Sequence, residues 1–193
     1  MTEALCRWPL SDAFLQALMR EFPGFRLVPK DRSPLCRAID VALRVITLGG
    51  QRRFLSHYHT VIGNALYVSR GWPLMSDVDR LILLRHERVH LLQRRRYGFV
   101  PFALLYLIPF VPLGLAYFRA RLEWEAYRET LRATLELRGP GALRSAALRA
   151  ELVRRFTSAD YGWMWPFPTV VGRWYDQAVA ELGAPAAPDP DHG

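Results

Sequence analysis

Apolar residues recur three and four apart through most of this chain, a spacing that predicts a chiefly helical fold. Residues 11–22 read as a short amphipathic helix closed by Pro23-Gly24. Ser33-Pro34 sets a capping residue before a proline at the first helical position. A second helix should run from there to about Leu48, where Gly49-Gly50 stops it. Over 53–69 the β-branched and aromatic content rises, and Gly63-Asn64 separates two strand-like runs, which predicts a β-hairpin.

The most strongly signalled helix is 76–96. Ser76 and Asp79 form a pair like a capping box, and Asp77 and Asp79 load the first turn with negative charge. Arg94, Arg95 and Arg96 load the last turn with positive charge, ahead of Gly98. A long helix over 112–138 should end at Gly139-Pro140-Gly141, and 142–156 and 169–182 read as two more. Between them, the aromatic and proline-rich segment 161–168 is expected to pack as a cap, with Trp163 and Trp165 as its large side chains. These elements define an α+β, mostly helical fold with one small hairpin sheet. A single domain is expected over 1–182, and 183–193 reads as a disordered Pro/Ala/Asp tail.

Composition agrees with one globular domain: 193 residues, 51% hydrophobic and 23% charged, which excludes a mainly disordered chain. The 26 basic residues outnumber the 18 acidic ones, and Lys30 is the only lysine among them. Such an excess suits an anionic partner, but no zinc-finger or RNA-binding signature accompanies it, so nucleic acid is not the expected one. Cys6 and Cys36 make no C-x-x-C pair, and residues 1–20 lack the continuous apolar core of a signal peptide. The expected location is therefore cytoplasmic.

The chemistry is concentrated in His86-Glu87-Arg88-Val89-His90. On a helix, positions four apart share a face, so two imidazoles in this pattern can reach one ion while the intervening Glu approaches a water. Zinc suits the pair: it accepts nitrogen ligands, does no redox chemistry and brings bound water towards a neutral pKa. Ile82, Leu83, His86, Val89, His90, Gln93 and Tyr97 lie along one stripe, which should turn the histidines inward. Without a metal, the same residues would be two buried, hydrogen-bonded histidines flanking a surface Glu.

A catalytic zinc needs a third protein ligand, and the helix downstream offers Glu123 and Glu125. At 100° per residue, Glu123 shares its face with Ala116, Ala120, Tyr127, Thr130 and Thr134. Glu125 falls among Arg121, Arg128, Arg132 and Glu136, a solvated charge ladder. Glu123 is thus the inward carboxylate, as a ligand or as a buried partner of Arg119.

From His86 to Tyr127 the chain resembles the gluzincin class of zinc metallopeptidases, in which a Glu on a helix after H-E-x-x-H completes the site. The class includes membrane-associated peptidases that process prenylated or misfolded proteins. The chain is also similar to small uncharacterised bacterial and phage proteins that carry an H-E-x-V-H-x-x-Q helix before a Glu-x-Glu-Ala-Tyr helix. The resemblance implies a zincin-like helix pair and Zn2+ as cofactor. His86, His90 and Glu123 would be its ligands, Glu87 the general base, and a peptide or protein the substrate. Where those peptidases often place an Asp that orients a ligand histidine, this chain has Tyr127, whose hydroxyl could bond an imidazole. Candidate oxyanion donors are Tyr127 and, if 53–61 is a strand, His57 and His59 on one of its faces. Those two histidines read equally as an exposed strand face. The expected function is therefore a zinc-dependent hydrolase, most simply a metallopeptidase. The alternative is a non-catalytic, zinc-stabilised protein that binds a protein or membrane partner.

Between the ligands, 99–118 holds 20 residues without a charge, bracketed by arginines. Its length is that of a membrane span. Pro109 and Pro112 interrupt it, and ligands sharing one ion would need both ends on the same side of a membrane. A buried loop or a membrane-dipping hairpin fits better than a crossing. The hairpin would place the protein peripherally on the inner membrane face.

Overall fold

The computed structural model describes residues 8–46, 59–102, 116–158 and 164–183, with the side chains of 42–46 left aside. The expectations placed on His57, on Cys6, on most of the apolar run, on Trp163 and on the tail therefore lie outside the described residues. Backbone contacts divide the chain into two compact units, 1–107 and 108–193. The fold is α+β and mostly helical, with one small sheet.

In the first unit, α1 (Pro9–Glu21) is followed by β1 (Arg26–Pro29), α2 (Pro34–Ile46), β2 (Thr60–Ile62), β3 (Ala65–Val68) and α3 (Asp77–Tyr97). The strands lie in the order β1-β3-β2, with β3 parallel to β1 and antiparallel to β2. Gly63-Asn64 forms the expected hairpin turn, Gly63 at φ 60°. Asn64 fastens that turn: its Nδ2 donates to the Pro23 carbonyl at 3.1 Å, and its Oδ1 accepts from Arg94 on α3. The central strand β3 is buried at every position, and alternation divides its side chains between two layers. Leu66 and Val68 join Leu18 of α1, Phe22 just past its end, and Leu84 and Leu91 of α3. On the other side Ala65 and Tyr67 pack with Cys36 and Ile39 of α2.

Caps fix where the helices begin. Ser33 Oγ accepts the Cys36 N–H ahead of the proline that opens α2. At α3, the Asp79 N–H donates to Ser76 Oγ at 3.1 Å and the Ser76 hydroxyl donates back to Asp79 Oδ2 at 2.6 Å. Gly98, at φ 82°, ends this helix with its N–H on the Arg94 carbonyl. Asp77 reaches out of α3 to accept the Leu10 and Ser11 amides at 2.9 and 2.8 Å, which starts α1 earlier than its own sequence suggests. Burial pushes the Asp77 carboxyl up, but these donors and Arg80 hold it below the usual carboxylate range.

The second unit contains α4 (Tyr117–Leu143), α5 (Ala146–Thr157) and α6 (Pro168–Gly183). The expected stop in the long helix is real: Gly139 leaves helical geometry at φ 80°, ψ 175°, and the chain resumes helical turns from Pro140. Leu131, Leu143, Leu152, Phe156, Val171 and Tyr175 form the core. Trp165 stacks on Trp174 at 6.2 Å, and Trp174 meets Trp124 at 5.5 Å, so the described part of the aromatic segment packs as a cap. Arg149 forks onto Asp176 with two bonds of 2.8 Å, joining α5 to α6.

Candidate metal centre

Helix α3 has two working faces. Leu84 and Leu91, two turns apart, point into the core of the first unit. At 100° per residue, His86, His90 and Gln93 fall on the opposite side and Glu87 between the two. The expected single inward stripe is therefore corrected. Ile82, Leu83 and Val89 are only half-buried and Tyr97 is exposed, because the core draws in the leucines on the other face. His90, Gln93 and Glu87 are nonetheless buried, and His86 is half-buried.

The two imidazoles converge. His86 Nε2 and His90 Nε2 lie 3.2 Å apart, with the ring planes at 75°. Two nitrogens each about 2.0–2.1 Å from a tetrahedral zinc would stand roughly 3.3 Å from one another, so this separation suits a shared ion. On the far side of its ring, His90 Nδ1 donates to Gln93 Oε1 at 2.9 Å. That bond fixes the tautomer in which Nε2 carries the lone pair, the arrangement usual for a metal-bound histidine. The sequence placed Gln93 beside the histidines but gave it no role; its spacing, three residues after His90, was the available signal.

Glu87 is buried close to a residue that the motif did not flag. Lys30, in the helical turn after β1, is fully buried, and its Nζ donates to Thr60 Oγ1 on β2 at 2.9 Å. Burial pushes this ammonium down to about 8, while Cys36 and the carboxylates of Glu87 and Asp40 pull it back up. A positive charge thus stands within electrostatic reach of the candidate base.

In the second unit, Glu123 is buried on α4 and Glu125 is exposed, as helical periodicity predicts. Along the Glu123 face, Ala120 and Thr134 are buried, and the hydroxyls of Thr130 and Thr134 donate to carbonyls one turn back. Tyr127 is buried on the same helix; its hydroxyl accepts from Arg155 Nη1 at 3.2 Å and its ring meets Phe156. His59, in the first unit, accepts the Ser69 N–H through Nδ1 at 3.4 Å and sets its ring edge-on to Trp72. Comparison with protein-family models, with curated proteins and with solved structures finds no match to this chain.

Proposed function

We propose that the protein is a zinc-dependent hydrolase, most simply a metallopeptidase, with His86, His90 and Glu123 as the zinc ligands. The observation that carries this reading is the pair of Nε2 atoms 3.2 Å apart, with His90 held from behind by Gln93. Two imidazoles and a carboxylate are a donor set able to hold a metal ion. They also leave one of four tetrahedral positions open, as hydrolysis requires. When bound, zinc would supply Lewis acidity at that open position.

The remaining work falls to the chain. Glu87, one residue after a ligand, acts as general base and accepts the proton of the attacking water. It then returns that proton to the leaving amine. Lys30 keeps the buried Glu87 region from carrying an uncompensated negative charge. Tyr127 is a candidate donor to the developing oxyanion, and its bond from Arg155 orients the hydroxyl.

The deciding experiment is the metal content of the purified full chain beside three variants. Wild type should hold about one zinc per chain. Glu123→Ala should lose it, Glu125→Ala should keep it, and Glu87→Gln should keep zinc while losing peptide hydrolysis. Equal zinc loss in both Ala variants, or in neither, overturns the ligand set. A wild type that binds zinc but hydrolyses no peptide leaves the non-catalytic alternative in its place.

A further inference from the structure

The uncharged stretch 99–118 begins and ends in the same way. Past the C-terminus of α3, Phe99 is 56% and Val100 62% exposed, with Tyr97 and Pro101 also in solvent. At the start of α4, considered within its own unit, Tyr117 and Phe118 are exposed. Single apolar side chains on a surface are ordinary, whereas adjacent large ones are not. Around the first of these patches the charge is positive. Arg95 and Arg96 are exposed, the Arg96 guanidinium lies over the Tyr97 ring, and Arg95 lies over Phe22. Arg94, Arg95 and Phe99 also line a groove of about 400 Å³ together with Glu21, whose carboxylate is already held by Arg88.

We propose that Tyr97, Phe99 and Val100, with Arg95 and Arg96, dock the protein on the surface of an anionic lipid bilayer. The apolar side chains enter the interfacial region and the guanidinium groups meet the lipid phosphates. A bilayer accepts apolar side chains without a shaped counterpart, and the chain's formal charge of +8 favours an anionic one. A second copy of the chain fits less well, because a symmetric contact through this patch would bring two arginine clusters together. Among the described residues no helix is long and apolar enough to cross a membrane.

The test is sedimentation of the full chain with vesicles of phosphatidylcholine alone or with one third phosphatidylglycerol. The anionic vesicles should bind it, and raising the salt should weaken that binding. Replacing Arg95 and Arg96 by Ser should reduce the partition coefficient about fivefold per arginine. Phe99→Ser with Val100→Ser should reduce it on the order of tenfold. Val100→Asp alone, at the most exposed patch position, should reproduce the loss. Leu74→Ser should change nothing, although Leu74 is 89% exposed, because it precedes α3 at the opposite end of that helix. No binding, binding indifferent to lipid charge, or patch variants that bind like wild type overturns the proposal. So does a wild type that self-associates without binding lipid and becomes monomeric on Phe99→Ser. None of these readouts depends on zinc or on hydrolysis.

Discussion

Replacing Gln93 by leucine tests the proposed metal centre at its least obvious member. Gln93 touches no substrate in the proposed chemistry; its amide oxygen accepts the His90 Nδ1–H at 2.9 Å in a buried setting. Leucine has a similar size and no acceptor, so the substitution removes this partner of the Nδ1–H and releases the ring from its tautomer. Losing the acceptor of a buried donor costs about 1–3 kcal/mol. Loss of a hydrogen bond behind a metal ligand typically weakens metal binding by about 10–100-fold, or roughly 1.4–2.7 kcal/mol. The two figures overlap, so zinc affinity should fall by about 10–100-fold. A chelator competition on folded protein reads this directly, with thermal melts of the metal-free variants to exclude unfolding. Gln93→Glu, which restores an acceptor at the same place, should bind zinc at least as tightly as wild type. Should Gln93→Leu hold zinc within about twofold of wild type, or Gln93→Glu lose as much as Gln93→Leu, the bond would not orient a ligand and the argument would fail.

Two further predictions concern the frame around the site. Gly139 at φ 80° and Gly141 two residues later both have open space where a Cβ would go, so backbone geometry alone decides the outcome. Gly139→Ala should cost about 1–3 kcal/mol, and Gly141→Ala should gain up to about 1 kcal/mol, read as opposite shifts in denaturation midpoint. Lys30 supplies a pH signature. Its value falls from 10.5 to about 8 on folding, so between those limits the unfolded chain holds a proton that the folded chain has released. Stability should therefore rise as pH climbs through that window, by on the order of 3 kcal/mol in all, and be flat in this respect below it. Lys30→Met should abolish that rise, and parallel stability curves for the two proteins would refute the assignment.

Much of this was legible in the sequence because local chemistry and tertiary position agree. Ser76, Asp79 and Gly98 bound α3 as their residue types dictate, and Gly63-Asn64 turns a hairpin because the fold needs a left-handed residue there. The choice of Glu123 over Glu125 as the buried acid follows from 3.6-residue periodicity alone. What escaped was long-range. β1 is four residues long and ends in proline, and it becomes a strand only through its parallel pairing with β3, about 40 residues on. The start of α1 is set by Asp77, 66 residues from Ser11. Nothing local marks Lys30 for burial, since lysine usually lies at the surface; only the closing of α2 and the sheet around it places its ammonium among Thr60, Asp40 and Glu87.

The energetics of α3 point in one direction. The face carrying Leu84 and Leu91 packs the helix into one core with the sheet and α1. Away from those leucines the helix buries His90 and Gln93, and between the two faces Glu87, groups that cost free energy to take out of water even when hydrogen-bonded. A chain selected for stability alone would gain by placing leucine or valine there, since well-packed apolar residues commonly match or exceed a buried polar cluster. Helix propensity does not explain the choice, because histidine is a mediocre helix former. Lys30 compounds the cost, for its ammonium is buried against its own preference, as the downward shift records. Protein chains sustain such local violations at positions where they bind or react. In the first unit the violations gather around one pair of converging imidazoles, the arrangement that the metal reading proposed above would ask of α3.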